Sequence, residues 1–140
     1  MQIQALSGWK KHIHDGRRYL KTAVNGGDRP AVFNNELRFQ LAAMAIEKLI
    51  VGICQYHQYM PFDHTLSGLV SGLPAVCAMD GNLAERVRQI ERIDDMCTLA
   101  PVRRKPPSDA QIQGILDTGQ AVARFARRSV PWDETETVDA

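Results

Sequence analysis

Hydrophobic residues recur at three- and four-residue steps through most of the chain, which is the period of one face of an α-helix. In the first such stretch the face is formed by Leu6, Trp9, Ile13, Gly16, Leu20 and Val24. The Asn25-Gly26-Gly27 step that follows predicts that this helix ends in the left-handed conformation. Asp28-Arg29-Pro30 then predicts the start of a second helix, because proline is favoured in the first turn.

The second helix is predicted from about Ala31 to about Tyr59, where Pro61 stops it. Apolar side chains cover most of its circumference, and one narrow polar strip is left, formed by Glu36, Gln40, Glu47 and Gln58. A long helix that is apolar nearly all round is typical of the central member of a bundle.

Three further helical segments follow. A short amphipathic piece spans His64 to Leu73, and Asn82 with Glu85 resembles a capped helix start. Ser108-Asp109-Ala110-Gln111 is a second capping box, before a stripe that runs from Ile112 to Ala126. No run alternates with period two. The pattern predicts an all-α, up-and-down four-helix bundle with one additional short helix over residues 1–128, and an acidic, mobile tail over residues 129–140.

The composition excludes a fully disordered chain, since 44% of the 140 residues are hydrophobic and the net charge is only +1. That charge is unevenly distributed. Residues 129–140 contain four acidic and no basic residues, and the other 128 residues contain seventeen basic and twelve acidic ones. The total therefore describes a basic bundle offset by an acidic tail, and removal of the tail is expected to strengthen anion binding at low salt.

Cysteine usage and apolar stretches indicate a cytoplasmic protein without a membrane partner. The cysteines are Cys54, Cys77 and Cys97, an odd number without a CxxC spacing, which favours buried free thiols. The first nine residues lack the pattern of a secretory signal. The most apolar stretch, residues 41–54, is interrupted by Glu47 and Lys48 and is shorter than the ~20 residues that span a bilayer.

Motifs of nucleophilic, nucleotide-loop or metal chemistry are missing from the sequence. It has no GxSxG elbow, no GxxxxGK[ST] or GxGxxG loop, and no Glu-x-x-His step of the di-iron bundles. His12 and His14 point to different sides of a helix, and His57, His64 and Asp63 around a proline turn form only a weak candidate for a metal site. No catalytic residue, metal or cofactor is predicted.

Basic residues form three groups. Lys10, His14, Arg17 and Lys21 lie at i, i+4, i+7 and i+11 and make one strip beside the apolar face of the first helix; the other groups are Arg103-Arg104-Lys105 and Arg124-Arg127-Arg128. Such groups are either solvated helix faces or parts of an anion- or RNA-binding surface. Only Tyr19 lies near them for stacking, which disfavours a reader of single-stranded bases but is compatible with phosphate contacts.

The order of elements resembles the HEPN superfamily, and more narrowly the substrate-binding subunits that accompany small nucleotidyltransferases. The resemblance covers about Leu6 to Arg128 and depends on Ala45-Ile46-Glu47-Lys48-Leu49-Ile50 in the central helix and on His64-Thr65-Leu66 after the turn. The Arg-Tyr-Pro step of many members is replaced by Leu99-Ala100-Pro101. The Arg-x(4–6)-His motif of nuclease members is absent, so the resemblance implies a non-catalytic member.

Three functions follow as hypotheses. The first is a non-catalytic HEPN-like binding module, a homodimer that partners a nucleotidyltransferase or binds a nucleotide or RNA phosphate. The second is a divergent ribonuclease toxin of the same superfamily, and the third is a structural or regulatory dimeric bundle without a small ligand. The candidate ligand- or partner-binding residues are Lys10, His14, Arg17, Lys21, Glu47, Lys48, His64, Arg103 and Arg104.

Overall fold

The computed structural model describes residues 8–75, 77–98 and 106–131, and in this part the chain is helical and contains no strand. The helices are α1 (Trp9–Asn25), α2 (Asn35–Tyr56), the short α3 (Leu66–Gly72), α4 (Gly81–Thr98) and α5 (Asp109–Ser129). Two 3₁₀ turns, Gly26–Asp28 and Leu73–Ala75, follow α1 and α3. The prediction of an all-α bundle with one additional short helix is confirmed.

Contacts between helix ends give the topology. α1 and α2 are antiparallel, because Ala23 near the end of α1 lies beside Arg38 near the start of α2. α2 and α5 start at the same end of the bundle, where the Asn35 side-chain amide donates to the Pro107 carbonyl (3.0 Å) and to the Asp109 carboxylate (2.8 Å). α5 therefore runs parallel to α2 and antiparallel to α1.

α2 occupies the centre of the bundle, as its nearly continuous apolar surface predicts. Its fully buried side chains include Phe39, Ile46, Leu49, Ile50 and Ile53. Each such burial is worth roughly 1.5–3 kcal/mol relative to exposure. Its solvent-facing side is less polar than predicted, since Leu37 and Met44 are 39% and 40% exposed.

The ends of α2 differ from the predicted ones. The helix begins at Asn35 and not near Ala31, because the Asn34 side chain accepts from the Leu37 amide at 2.8 Å and caps it. It ends at Tyr56, three residues before the predicted end. There Gln58 adopts φ 59°, and the amides of Gln58 and Tyr59 donate back to the last turn at 2.9 Å, which is the Schellman arrangement.

α1 ends at Asn25 as predicted, but for a different reason. Gly26 has φ −61° and continues into a right-handed 3₁₀ turn, so the predicted left-handed residue is wrong. Glycine is required there because an added Cβ would lie 2.8 Å from the Phe33 Cβ. The predicted helix start at Asp28-Arg29-Pro30 is wrong as well, since these residues lie in the turns before α2.

Of the two N-terminal caps predicted for α4 and α5, one is wrong and one is confirmed. α4 already begins at Gly81, with the Asp80 carbonyl accepting the first backbone bond, so Asn82 lies inside the helix and is not its cap. The predicted capping box of α5 is confirmed. Ser108 Oγ accepts from the Gln111 amide (3.1 Å), and Gln111 Oε1 accepts from the Ser108 amide (2.9 Å).

Core packing continues to Val130, which is only 4% exposed, just before Pro131. Several predictions concern residues outside the described part: the start of the first helix near Leu6, the Arg103-Arg104-Lys105 group, the Leu99-Ala100-Pro101 step and the acidic residues after Pro131. Within residues 8–75, 77–98 and 106–131, none of the helices has both the length and the apolarity needed to cross a bilayer.

Candidate anion-binding site

A cleft of about 740 Å³ lies between α1 and α5. The two helices meet where Leu20 contacts Gly119, and the cleft occupies the space beside this contact. Its apolar lining is Leu20, Val24 and Ala123, and Asn25 and Gln120 contribute amides. Six charged or titratable side chains complete the lining: His14, Arg17, Arg18, Lys21, Arg124 and Arg127.

The helical period explains how α1 supplies these side chains. The face of α1 that packs in the core consists of Ile13, Gly16, Leu20 and Ala23. The cleft residues His14, Arg17, Lys21 and Val24 each follow one of these by one position. One position turns a side chain by about 100°, so these four lie together at the border of the core face, on the side of α5.

The charged side chains that line the cleft, among the described residues, are all basic. Arg17, Arg18, Lys21, Arg124 and Arg127 are cationic, and no carboxylate is found among the described residues that line the cleft. Burial lowers the pKa of the Arg17 guanidinium, but arginine stays charged in proteins. Several positive charges in a concave site focus the electrostatic field and attract anions.

Asp15 on α1 is the nearby acid that partly balances this charge. Its carboxylate lies 3.5 Å from Lys11 Nζ and 3.6 Å from Arg18 Nη2. Arg18 and Lys48 also stack on the Tyr19 ring, at 5.7 Å and 6.0 Å from its centroid. Arg18 is therefore shared between the cleft and a surface network, and surface pairs of this kind are worth little.

The predicted basic strip of α1 is largely placed in the cleft. His14, Arg17 and Lys21 line it, whereas Lys10 lies over the Trp9 ring at 5.7 Å and does not. His14, Arg17 and Lys21 are therefore more than a solvated helix face, because they share a concave surface with α5.

The third basic group, Arg124-Arg127-Arg128, lies only partly in the cleft. Arg124 and Arg127 enter the cleft from α5, and Arg128 is exposed outside it. Sequence reasoning did not select Arg18 or Gln120. The signal that was available for Gln120 is its spacing of four residues before Arg124 on the same helix, which places both on one side of α5.

Glu47, Lys48 and His64 do not form one groove. Glu47 Oε2 lies 3.8 Å from His64 Nδ1, and both side chains are about half exposed. Lys48 points instead toward Tyr19 on α1. Adjacent residues of a helix diverge by about 100°, so Glu47 and Lys48 serve different surfaces, and none of the three lines the cleft.

The turn between α2 and α3 has a structural role. Asp63 Oδ1 accepts from the Thr65 amide at 2.9 Å, and this bond lowers the pKa of the Asp63 carboxyl. Thr65 in turn caps α3 by accepting from the Gly68 amide at 3.1 Å. No three potential metal ligands lie together in the part of the chain that the structure describes, so His57, His64 and Asp63 do not form a cluster of that size.

The two cysteines whose side chains are described differ in burial. Cys54 is fully buried, and burial, with Cys77 adding to it, raises the pKa of its thiol to about 11. Cys77 is half-buried and its thiol donates to Ser129 Oγ at 3.3 Å. The prediction of a buried free thiol is confirmed for Cys54; the side chain of Cys97 lies outside the described residues.

Comparisons with protein-family models, with curated proteins and with solved structures give no match for this chain. The residues and the geometry of the cleft are therefore the basis for inferring a function. The resemblance to the HEPN superfamily remains a proposal.

Proposed function

We propose that this chain is a non-catalytic, HEPN-like helical binding module whose cleft between α1 and α5 binds phosphate groups of a nucleotide or RNA. The observation that carries the proposal is the convergence of basic side chains from two helices on one cleft: Arg17, Lys21, Arg124 and Arg127, with His14 and Arg18. Arginine and lysine are the usual partners of phosphate, arginine through its planar fork and lysine as a point charge.

The spread of the cations favours a ligand with several phosphates. His14 and Lys21 are seven residues apart, which is about 10 Å along a helix. Arg124 and Arg127 face them from α5 over about 4.5 Å. One phosphate cannot reach both ends of such a site, whereas the triphosphate of a nucleotide or a short RNA strand can.

The lining also indicates how the ligand is read. The described residues that line the cleft include no Phe, Tyr or Trp, and the His14 imidazole is the one ring among them on which a base could stack. Contacts to phosphates fix position and supply affinity without reading sequence. The proposed binding is therefore strongly salt-dependent and only weakly dependent on base identity.

The HEPN-like assignment adds partners to this proposal. Such a module forms a homodimer and pairs with a small nucleotidyltransferase in the cytoplasm, and the anion in the cleft is then the substrate or product that the module holds. Co-purification of a nucleotidyltransferase with the full chain would support this part of the proposal. Cleavage of labelled RNA by the purified chain would instead support the divergent ribonuclease.

A titration of fluorescein-labelled single-stranded RNA of about 12 nucleotides tests the cleft directly. Arg124→Glu is expected to weaken binding at least about ten-fold at low salt, because it replaces a phosphate contact by a repulsive charge. Arg124→Gln is expected to reduce the slope of log K against log salt by about 0.7, the value for one phosphate contact on a single strand. Anisotropy at several salt concentrations measures both.

Arg128 offers a matched control, because it is exposed on the same helix but lies outside the cleft. Arg128→Glu changes the net charge by the same amount and is expected to change affinity less than about two-fold. Both substitutions are at exposed positions and should leave the free energy of unfolding within about 0.5 kcal/mol. Equal losses of affinity for Arg124→Glu and Arg128→Glu would refute the cleft as the binding site.

A further inference from the structure

The charged and uncharged residues of the cleft are ordered along its length. α1 and α5 are antiparallel and touch where Leu20 meets Gly119. Both helices rise about 1.5 Å per residue, so a step from Leu20 toward the start of α1 matches a step from Gly119 toward the end of α5. This register gives each residue that lines the cleft a level along it.

The half of the cleft toward the start of α1, here called the arginine end, holds most of the charge. Arg124 and Arg127 lie five and eight residues after Gly119, which places them level with the first two turns of α1. The Asp15 carboxylate, 3.6 Å from Arg18 Nη2, offsets part of the charge of Arg18. The described lining residues of this end are His14, Arg17, Arg18, Ala123, Arg124 and Arg127. Four guanidiniums within about 9 Å along the helix axis suit several linked phosphates.

The other half of the cleft, toward the end of α1, is here called the amide end. Its lining begins with Gln120 beside the point where the helices touch, and Lys21, Val24 and Asn25 follow. Lys21 is the one cation among these described residues, and Leu20 and Val24 are apolar. The two amides lie about 9 Å apart along the axis. An amide both donates and accepts hydrogen bonds, so this end suits an uncharged ring with polar edges better than further phosphates.

We propose that the ligand of the cleft is a nucleoside triphosphate that lies along α1, with its phosphates at the arginine end and its nucleoside at the amide end. The inference rests on the proposed function of the cleft and deepens it, since it names one class of ligand and its orientation. The terminal phosphate lies toward Arg127. Lys21, at the border of the two ends, faces the phosphate that is bonded to the sugar.

The chemistry of a nucleobase matches the amide end. A base has apolar faces and edges that carry hydrogen-bond donors and acceptors. Leu20 and Val24 offer an apolar surface to a face of the base, and Asn25 and Gln120 offer amides to its edges. Rotation of an amide by half a turn exchanges its donor and its acceptor, so the same pair accepts each of the four bases. The nucleoside therefore adds affinity with little dependence on base identity.

Charge disfavours the opposite orientation. It would place three phosphates beside Lys21, the one cation of the amide end in the described lining, and an uncharged base among four guanidiniums. Guanidinium–phosphate pairs are charge-assisted and often bidentate, so they are lost in that orientation.

The first experiment compares ATP and UTP with inorganic tripolyphosphate by titration calorimetry on the full chain at about 50 mM salt. Both nucleotides are expected to bind about three- to ten-fold more tightly than tripolyphosphate, because the nucleoside adds hydrogen bonds and apolar contact. The variant N25A/Q120A should remove this advantage and change tripolyphosphate affinity less than about two-fold. The control N82A/Q89A removes two exposed amides of α4 outside the cleft and should change every affinity less than about two-fold.

The second experiment tests the orientation with AMP, ADP and ATP, each measured by displacement of fluorescein-labelled RNA. Arg127→Gln is expected to weaken ATP at least about five-fold and AMP less than about two-fold, because only the longer chain of phosphates extends to Arg127. N25A/Q120A should weaken all three nucleotides by a similar factor. Arg128→Gln, at an exposed position of α5 outside the cleft, is the matched control.

The outcomes separate this inference from the proposed function. If ATP and UTP bind no more tightly than tripolyphosphate and N25A/Q120A changes no affinity, the nucleoside site is overturned and the cleft remains a phosphate site. If Arg127→Gln weakens AMP as much as ATP, the orientation is wrong. If neither tripolyphosphate nor RNA binds to the wild type, the proposed function itself fails, and the inference fails with it.

Discussion

The two sides of α1 differ in how closely they approach their neighbours. Toward α2 the contact is closed: a Cβ added to Gly16 would lie 2.8 Å from Leu49 Cγ and 3.0 Å from the Ala45 carbonyl oxygen. A Cβ added to Gly52 of α2 would lie 2.7 Å from Ile13 Cδ1. Both glycines are buried, so α1 and α2 pack closely enough for backbone and side chains to touch.

Toward α5 the contact is open. The helices meet where Leu20 reaches Gly119, and beside this point the cleft of about 740 Å³ is lined by cationic side chains. Arginine and lysine side chains bury their apolar stems and keep their charged ends near water, which fits an open cleft on this side of α1. The same helix thus gains stability from one face and presents a ligand site on the other.

The largest expected effect is in the closed interface. Gly16→Ala places a methyl group against Leu49 and a backbone oxygen, and overpacking of this kind costs about 1–3 kcal/mol. The gain in helix propensity offsets up to about 1 kcal/mol of this cost. We expect a net loss of about 1–2 kcal/mol in the free energy of unfolding, measured by urea denaturation followed by circular dichroism.

Gly114→Ala is the matched control for this loss. Gly114 is exposed in α5 and has no neighbouring atom within 4 Å of an added Cβ. The substitution should raise the free energy of unfolding by about 0.5–1 kcal/mol through helix propensity alone. A Gly16→Ala protein as stable as Gly114→Ala would show that the α1–α2 interface is not closely packed.

Periodicity predicts the helices of this fold well but not their ends. The apolar positions of α2 were sufficient to predict its central place, because burial follows from pattern. Its end at Tyr56 depends on Gln58 in the left-handed conformation, which glutamine rarely adopts and which no local motif announces. The capping-box signature predicted the cap at Ser108 but was wrong at Asn82, which lies inside α4, and Asn34 caps α2 without that signature.

The basic residues of α1 and those of α5 were each predictable as a group, but their meeting in one cleft was not. The spacing of His14, Arg17 and Lys21 predicts one strip on α1, and that strip lies in the cleft. Its meeting with Arg124 and Arg127 depends on α5 packing antiparallel to α1, which is a long-range contact that local sequence does not encode. The neighbouring candidates Glu47 and Lys48 face different partners, Glu47 facing His64 and Lys48 facing Tyr19, because adjacent residues of a helix diverge.

An intermediate effect is expected at the end of α1, where Val24 and Asn25 line the cleft. Arg38 of α2 donates to the Ala23 carbonyl at 2.9 Å and to the Val24 carbonyl at 3.5 Å, and so satisfies and charge-balances the last turn. Arg38→Met should lower the free energy of unfolding by about 1 kcal/mol.

The control for this substitution is Arg29→Met, at an exposed position in the turn after α1, where a change within about 0.5 kcal/mol is expected. Because Arg38 connects the closed interface to one end of the cleft, Arg38→Met should also weaken RNA binding, although Arg38 does not line the cleft. If the Arg38→Met protein loses stability but keeps full RNA affinity, the α1–α2 interface does not influence the cleft, and this prediction is wrong.

The smallest effect on the free energy of unfolding is expected at Gly119 of α5, where α1 and α5 touch beside the cleft. An added Cβ would lie 2.8 Å from Leu20 Cδ1, which is the far end of a flexible side chain that borders the cleft. We expect Leu20, which borders the cleft, to shift its side chain, whereas the Ala45 oxygen that faces Gly16 belongs to the backbone of α2 and is held in place. Gly119→Ala should therefore change the free energy of unfolding by less than about 0.5 kcal/mol, since helix propensity offsets the remaining strain.

The displaced Leu20 should narrow the cleft and weaken RNA binding. A loss of stability as large as that of Gly16→Ala would mean that both sides of α1 are packed alike, and the contrast between a closed and an open interface would be wrong.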